Sequence, residues 1–329
     1  MTYPEHVKRD IQGFITSGFG HTYHAAYLFL RITDVTLAKK WLTEIIPQVL
    51  TAESWRNTDQ PCASGEAKPP KVYPQRILNI AFTFEGLAEL QLSDAVLRTF
   101  APEFQQGISA QPRASALGDT ESSAPENWQI NNPNDDPLHI LLILHAGEDP
   151  SDDGAIQDFV NDVTEALQGV EIAYIEGGYR RDDDKEHFGF RDGISQPKIS
   201  GINLYDRDGK PIADTLKTGE FILGYLNEFN LYPSVPVVPR NEDPHNILPP
   251  YNNPRHVHPM YQMAQLKDLG ANGTYIAYRK LHQNVATYWK FIADEVKRID
   301  GELSAERMIW LASKMVGRSP NGDPLVPNL

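Results

Sequence analysis

The stretch HFGFRDGISQP combines an aspartate with two glycines and two phenylalanines. Gly189, Asp192 and Gly193 form a Gly-x-x-Asp-Gly pattern, which average composition produces by chance in about one chain of this length in ten. On its own, the pattern is typical of an Asp-Gly turn in which the aspartate bonds to its own backbone. Phe188 and Phe190 favour a second role, because aromatic rings that shield a carboxylate from water suit it to proton transfer near neutral pH.

The elements that must position this stretch alternate between strands and helices. In chain order, the apolar spacing predicts a strand at 27–32, a helix capped by Thr33 or Asp34, a strand at 76–82, a short helix from about residue 85, a strand at 139–146, a helix at 156–167 and a strand at 170–175. This order predicts an α+β fold with helices on one face of a sheet, ferredoxin-like in outline.

The pattern then partly repeats downstream of the Asp-Gly stretch. The predicted elements are strands at 221–225 and 274–279, a helix at 285–299 and a helix from the N-cap Ser304 to the C-cap Gly317. We therefore expect a complete ferredoxin-like domain over residues 1–200, with the Asp-Gly loop at its end, and an incomplete second one over 201–329. An incomplete sheet leaves an open edge, which a partner chain or a second copy would cover.

Charge and composition exclude several classes of protein. A formal charge of −14 argues against nucleic acid or an anionic membrane as the main partner, since both attract a basic surface. Apolar runs such as 140–144 are too short to span a bilayer, and the start MTYPEHVKRD lacks the apolar core of a signal peptide. We expect a soluble, cytoplasmic protein. Because Cys62 is the single cysteine, an intramolecular disulfide and a cysteine metal cluster are excluded.

Eight blocks, spread over nearly the whole chain, resemble the dye-decolourising (DyP-type) haem peroxidases. They are DIQGFI at 10–15, LNIAFTFEGLAEL at 78–90, EFQQGI at 103–108, LGD at 117–119, FGFRDGISQP at 188–197, GEFILGY at 219–225, LGANGTYIAYRKLHQNVATYW at 269–289 and VGRSPNGDPL at 316–325. The resemblance implies two ferredoxin-like units of the dimeric α+β barrel type, with haem b in the second. Residues 201–329 would then be part of the haem-side domain.

The resemblance also implies roles for the Asp-Gly loop. Asp192 matches the family's distal aspartate, which takes a proton from hydrogen peroxide and returns it to the leaving oxygen. The oxidised haem then withdraws single electrons from a phenolic or dye-like reductant. The neighbouring residues implied to face the haem are Gly189, Phe190, Arg191, Gly193 and Ile194. Glycine at 189 and 193 would let the backbone pass close to the porphyrin.

One part of the family pattern is absent from this sequence. In the family, the proximal histidine and a distal arginine follow the block that matches VGRSPNGDPL, and this chain ends before that stretch, at Leu329. The resemblance therefore implies a peroxidase subunit or fragment that needs the C-terminal segment. Two alternatives stay open: a haem-free binding or assembly module on a peroxidase scaffold, or a haem protein that uses a substitute ligand such as His245.

Other residues that could carry chemistry give weaker patterns. His256 and His258 could share a metal, but no third ligand is evident nearby. His187 could approach a haem edge, although a turn histidine is typically polar surface. Trp289 and Trp310 are candidates for electron relay, but the helical spacing around Trp289 is more typical of a packed core. The run RRDDDK, which begins at Arg180, is interpreted as a solvated loop.

Overall fold

The computed structural model describes residues 5–16, 18–53, 74–194, 196–202, 212–251, 253 and 265–326. Cys62, His256 and His258 lie outside the described residues. The chain divides into two compact units: Met1–Gly178 with Pro197–Ala277, and Tyr179–Gln196 with Tyr278–Leu329. The Asp-Gly loop thus belongs to the same unit as the last two helices. The predicted division into domains 1–200 and 201–329 stays a prediction.

The described helices and strands, in chain order, are the following. The α-helices are α1 (Glu5–Lys8), α2 (Gly13–Thr16), α3 (Val35–Ile45), α4 (Phe84–Glu89), α5 (Asp94–Leu97), α6 (Pro102–Gln106), α7 (Gln111–Leu117), α8 (Gly154–Glu165), α9 (Val285–Asp300) and α10 (Ala305–Val316). The strands are β1 (His24–Ile32), β2 (Arg76–Phe82), β3 (Ile140–Ala146), β4 (Val170–Tyr179), β5 (Val237–Pro239) and β6 (Leu266–Asp268). Among these helices, none has the length and apolar character needed to cross a bilayer.

The main sheet of the first unit has the strand order β2-β3-β1-β4. Strand β3 pairs antiparallel with both β1 and β2, so that Leu142 lies opposite Leu28 on one side and Ile80 on the other. Helices α3 and α8 follow β1 and β3 along the chain. This order of strands and helices is ferredoxin-like, and it confirms the predicted α+β class.

Helices α3 and α8 pack on one face of the sheet. Helix α3 begins where the sequence predicted, because the Asp34 carboxylate accepts the Leu37 amide at 2.9 Å. The core between helices and sheet consists of buried apolar side chains: Ala38, Trp41, Leu42 and Ile45 from α3, Phe159, Val160 and Val163 from α8, and Leu28, Leu30, Leu78, Ile80, Ile140, Leu142 and Leu144 from the strands. The helical spacing of the apolar residues therefore identified most of the buried face of each helix, although Leu37 and Ile46 of the apolar stripe in and after α3 are exposed.

The opposite face of the sheet is also buried, as the doubly apolar run at 139–146 predicted. Asn79 is completely buried there, and its amide donates to the Gln12 side chain at 3.1 Å. His145 packs against the ring of Phe19, with 5.2 Å between ring centroids. Burial lowers the pKa of His145 to about 4, and the charge of His21 acts in the same direction.

Two predicted strands of the second half are wrong. Residues 221–225 form a turn in which the Leu223 amide donates to the Gly273 carbonyl at 2.9 Å. The run is apolar because Ile222, which is 1% exposed, is buried in a small hydrophobic core and not on the face of a strand. Residues 274–279 form no strand and pair with no strand in the described chain.

The same region instead contains a small sheet that the sequence did not predict. Strands β5 and β6 pair antiparallel, with Val238 opposite Lys267. Strand β5 lies in a proline-rich segment in which the apolar spacing predicts no strand. Strands of three residues are too short for a clear alternation of apolar and polar positions, so periodicity gave no signal.

Helices α9 and α10 of the second unit are confirmed. The Ser304 side chain caps α10 by accepting the Arg307 amide at 3.2 Å, and Gly317 ends the helix as its C-cap. The two helices pack against each other through Ile292 and Val296 of α9 and Ala312 of α10. They form the support on which the Asp-Gly stretch rests.

Candidate functional site

The Asp-Gly stretch forms the second half of a short hairpin over residues 184–192. Lys185 and Arg191 form an antiparallel bridge. The Glu186 amide donates to the Phe190 carbonyl, and the Asp192 amide donates to the Asp184 carbonyl, both at 3.0 Å. At the tip, the Gly189 amide donates to the Glu186 carbonyl at 2.9 Å. Asp192 is therefore held at the end of a paired segment and not in irregular chain.

Asp192 makes the turn contact expected of its type. Its Oδ1 accepts the amide of Gly193 at 2.6 Å. The residue is exposed, and Phe190 is buried at 3% exposure in a core formed with α9 and α10. The predicted shielding of the carboxylate by flanking aromatic rings is thus not found in the described structure. Asp192 presents its carboxylate to solvent.

The glycines around Asp192 leave one side of the loop bare. Gly189 and Gly193 have φ values of +93° and +68°, a region that side-chain-bearing residues rarely adopt. A Cβ added to either glycine would meet no atom within 4 Å. The loop therefore has room for a group to approach its backbone beside the Asp192 carboxylate.

Aromatic packing fixes the base of the hairpin. The ring centroids of Phe188 and Tyr288 lie 4.9 Å apart, and those of Tyr288 and Trp289 lie 5.4 Å apart. Phe190 and Ile292 are both buried in the same cluster. The predicted core role of the α9 stripe is confirmed. Burial raises the pKa of the Tyr288 hydroxyl, and the nearby Glu186 carboxylate adds to this.

A turn after α10 supports the other side of the hairpin. The Arg191 amide donates to the Pro320 carbonyl at 3.1 Å. The side chain of Ile194 lies directly over Gly322, so closely that a Cβ at position 322 would overlap the Ile194 Cδ1. Arg318 fixes this turn by donating from Nη1 to the Gly322 carbonyl at 2.9 Å. The sequence contained a signal for this turn in the block VGRSPNGDPL.

The remaining candidates in the described residues are exposed or partly exposed side chains. His187 is exposed at the hairpin tip. His245 is exposed in the first unit, where its charge contributes, after the backbone amides of Ile247 and Leu248 and the Lys267 ammonium, to a lowered pKa of Asp243. Trp310 is 45% exposed, and the Arg307 guanidinium lies 4.1 Å from the centroid of its ring.

A cavity of about 440 Å³ opens on the helix-covered side of the first unit. Trp41 and Phe159 line it, and Arg76 at its rim pairs with Asp162 at 2.5 Å. No predicted site residue lines this cavity. Glu44 also lines the cavity, and its carboxylate lies 4.0 Å from the Lys40 ammonium.

Sequence reasoning missed a buried polar cluster around strand β6. The Lys267 ammonium donates to the Asn246 side chain at 2.5 Å and lies 3.8 Å from Asp243, and all of Lys267, Asp243 and Asp268 are at least nine-tenths buried. Burial raises the pKa of Asp268 to about 6, against the effect of two backbone amides that bond to it. Single charged residues in loops carry no sequence signal of burial.

The described residues fit one side of a haem site. The bare glycine face and the exposed Asp192 carboxylate would admit a flat macrocycle next to a proton acceptor. The described histidines of the second unit fit less well as ligands of a haem iron. His187 and His282 are the described histidines of the second unit; both are exposed, and neither ring makes a hydrogen bond within the described residues. A ligating histidine is normally held by such a bond.

Comparison with known proteins places the fold in a family. A family model described as "DyP dimeric alpha+beta barrel domain" matches residues 10–180, which is more than half of the 329 residues. The sheet with its two covering helices is therefore an α+β barrel domain of the dimeric type. The chain belongs to the DyP-type peroxidase family.

Individual relatives agree with this assignment. A dye-decolorizing peroxidase of Exidia glandulosa is 25% identical over 323 residues, covering 96% of this chain and 52% of the relative. One from Mycena epipterygia is 26% identical over 328 residues, covering 96% of this chain and 49% of the relative. The chain thus spans about half the length of the relatives it matches.

Solved structures share the fold. The structure of a dye-decolorizing peroxidase in complex with 2,6-dimethoxyphenol superimposes with a TM-score of 0.66 at 19% identity, covering 95% of this chain and 59% of that chain. A decolorizing peroxidase from Auricularia auricula-judae gives a TM-score of 0.63 at 23% identity, covering 97% and 58%. At these identities the likeness concerns the fold alone.

Proposed function

We propose that this chain contributes the peroxide-facing half of a DyP-type haem peroxidase, which reduces hydrogen peroxide and oxidises phenolic or dye-like molecules in one-electron steps. The observation that carries the proposal is the hairpin that presents an exposed Asp192 carboxylate between two bare glycines. Family membership supports it, and the similar solved peroxidase that holds 2,6-dimethoxyphenol supports the class of reductant.

In this proposal Asp192 moves the proton. Its Oδ1 is engaged by the Gly193 amide, so the Oδ2 is the atom that takes a proton from one peroxide oxygen and returns it to the leaving oxygen, which departs as water. Gly189 and Gly193 carry no side chain into the open space beside the loop. Haem b, when bound, supplies the iron chemistry and the one-electron oxidation. Arg191 and Ile194 complete the haem-facing loop, and Phe190 anchors it.

The proposal includes a source for the iron's axial ligand outside the described residues. The chain spans about half the length of the relatives that it matches. The resemblance to the family implies that the proximal histidine lies in the part of the relatives that follows the matched residues. We propose that such a C-terminal segment acts together with the present residues in the complete assembly. Hydrogen peroxide and a small aromatic reductant are then the ligands of the complete assembly.

The visible spectrum of the purified 329-residue chain tests this function. The spectrum is recorded alone, with haem, and with haem plus the C-terminal segment of a relative, and each sample is assayed with peroxide and a dye. A strong Soret band and dye turnover that require the added segment would support the proposal. A Soret band with turnover in the chain alone would favour a substitute ligand such as His245. Absence of both in every sample would favour a haem-free module.

Asp192→Asn tests the role of the aspartate in the active assembly. The amide keeps the turn contact but cannot accept the proton, so the rate of the reaction with peroxide should fall by roughly a hundredfold or more, while the Soret band stays. Asp182→Asn, an exposed aspartate outside the hairpin, is the matched control. Unchanged turnover in Asp192→Asn would remove Asp192 from the mechanism.

A further inference from the structure

The acidic run before the Asp-Gly stretch is part of the hairpin. The sequence RRDDDK was interpreted as a solvated loop, but its last aspartate, Asp184, lies directly opposite Asp192, and the Asp184 carbonyl accepts the Asp192 amide at 3.0 Å. Asp184 has a φ of +55°, which is unfavourable for most side chains and is adopted more readily by aspartate and asparagine. The chain therefore keeps Asp184 in a less common conformation at the place where it bonds to Asp192.

The side chain of Asp184 makes a second connection to the loop. Its Oδ1 accepts from the Arg180 Nε at 3.0 Å, and its Oδ2 lies 3.5 Å from the Arg191 Nη2. Arg191 is the residue immediately before Asp192. Asp184 thus contacts Asp192 through the backbone and the neighbour of Asp192 through an ion pair.

These contacts also distribute charge in the hairpin. The guanidinium groups of Arg180 and Arg191 both face the Asp184 carboxylate, whereas no ion pair involves Asp192 within the described residues. A carboxylate that pairs with arginine is stabilised in its ionised form and is a weaker base. By engaging Arg191, Asp184 keeps that charge away from the carboxylate that is to accept a proton.

We propose that Asp184 is a positioning residue for Asp192: it fixes the end of the hairpin through its carbonyl and keeps the Arg191 side chain turned away from the Asp192 carboxylate. The consequence for catalysis rests on the proposed function. The positioning itself is a property of the protein chain and is measurable without haem.

Three variants separate the side chain of Asp184 from its backbone conformation. Asp184→Gly removes the carboxylate and tolerates the positive φ, but glycine also makes the backbone more flexible. Only the loosening that exceeds that of a glycine control reports the lost side chain. Asp184→Asn keeps one side-chain oxygen as an acceptor and tolerates the same φ. Asp182→Gly makes the same change at an exposed aspartate whose side chain has no hydrogen bond within the described residues, and it is the matched control.

The test is hydrogen exchange of the Asp192 and Arg191 amides in the full 329-residue chain without haem. Loss of the two ion pairs of Asp184 should make the Asp192 amide of Asp184→Gly exchange about tenfold faster than in the wild type. The exchange rate of this amide in Asp184→Asn should lie between the rates in the wild type and in Asp184→Gly. The rate in Asp182→Gly should match that of the wild type. Wild-type protection in Asp184→Gly, or an equal loss in Asp182→Gly, would overturn the proposal.

The haem-loaded assembly provides a second, independent measurement. There, Asp184→Gly should slow the reaction with peroxide severalfold without changing the KM for the reductant, and it should have no further effect in the Asp192→Asn background, because both changes act on one proton transfer. An additive effect in that background would contradict the positioning role. If no assembly shows peroxidase activity, the proposed function fails, while the exchange experiment still decides whether Asp184 positions Asp192.

Discussion

The backbone amide of Arg191 donates to the carbonyl of Pro320 at 3.1 Å, which joins the Asp192 hairpin to the turn that follows α10. Ile194 closes over Gly322 beside this bond. Two stretches that are far apart in sequence thus form a single support for Asp192. The position of the carboxylate depends on the turn at 318–324 as much as on the Gly-x-x-Asp-Gly pattern itself.

Gly322→Ala should disturb this support. Position 322 has a φ of +97°, and an added Cβ would overlap the Ile194 Cδ1 and lie 3.6 Å from the Arg191 Cδ. The strained backbone costs roughly 1–2 kcal/mol of unfolding free energy, and moving Ile194 should add to this. We expect faster hydrogen exchange of the Arg191 amide, measured by exchange and mass spectrometry on peptides that cover the hairpin.

Gly317→Ala is the control for this change, because Gly317 has a φ of +86° but open space around it. It should cost a similar backbone strain and leave exchange in the hairpin unaltered. The double variant Ile194→Ala with Gly322→Ala should recover part of the protection, since the overlapping atom is gone. Equal loosening of the hairpin by Gly317→Ala and Gly322→Ala would contradict the contact with Ile194.

Phe190→Ala should destabilise the second unit. Phe190 is 3% exposed and packs with Ile292, which is completely buried, so the truncation leaves a cavity and should cost about 3 kcal/mol of unfolding free energy. Phe190→Leu should cost less than half as much. Phe291→Ala, at 54% exposure, should change the free energy by less than about 0.5 kcal/mol. Urea unfolding curves of the three variants measure these free energies. Equal midpoints for Phe190→Ala and Phe291→Ala would refute the anchoring role of Phe190.

The long elements of the fold could be predicted because each combines a clear period with an end signal. Asp34 and Ser304 bond to the first turns of α3 and α10 as their types predict, and the doubly apolar strand β3 is buried on both faces. The errors lie where an apolar run has another cause. Ile222 is apolar because a turn buries it, and a period of two cannot distinguish such a run from a short strand.

The candidate site could be located from the sequence, but its internal geometry could not. The Asp-Gly pattern identified the residues, whereas the exposure of Asp192 depends on Phe190 pointing into the α9–α10 core, a contact between distant segments. The interpretation of RRDDDK as solvated loop was incomplete for the same reason. Charge runs are usually surface, and only the pairing of Asp184 with Asp192 shows that this one shapes the hairpin.

His145 should make the first unit sensitive to acid. Its pKa in the folded chain is lowered to about 4, mainly by burial, so the fold favours the neutral imidazole. The associated stability is present above the unfolded pKa of about 6.5 and is lost as the pH falls from there towards 4, by up to about 3 kcal/mol. His145→Leu should unfold with a shallower dependence on pH over this range. Parallel pH profiles of the wild type and His145→Leu in urea unfolding would argue against the role of His145.

Asp268 should make the fold less stable as the pH rises, which is the opposite of the effect of His145. Burial raises its pKa to about 6, although the amides of Gly270 and Ala271 bond to the carboxylate and oppose the shift. The fold therefore favours the protonated acid, and the stability it contributes is complete below the unfolded pKa of about 3.8 and is lost as the pH rises through 6, by up to about 3 kcal/mol. Asp268→Asn does not titrate, so the difference in unfolding free energy between this variant and the wild type should grow in favour of the variant from pH 4 to pH 7.

Asp243, a buried carboxylate 3.8 Å from the Lys267 ammonium, provides a control of opposite sign. The backbone amides of Ile247 and Leu248 and the Lys267 ammonium lower its pKa, so its contribution to stability is present above pH 3.8 and is lost as the pH falls further. Asp243→Asn should therefore be more destabilised relative to the wild type at pH 7 than in acid, whereas Asp268→Asn should be relatively more stable at pH 7. Urea unfolding measures the two slopes, for Asp268→Asn at about pH 4, 5.5 and 7 and for Asp243→Asn at about pH 2.5, 4 and 7. If the unfolding free energy of Asp268→Asn relative to the wild type did not rise between pH 4 and pH 7, burial would not control the ionisation of Asp268, because burial is the largest cause of its raised pKa.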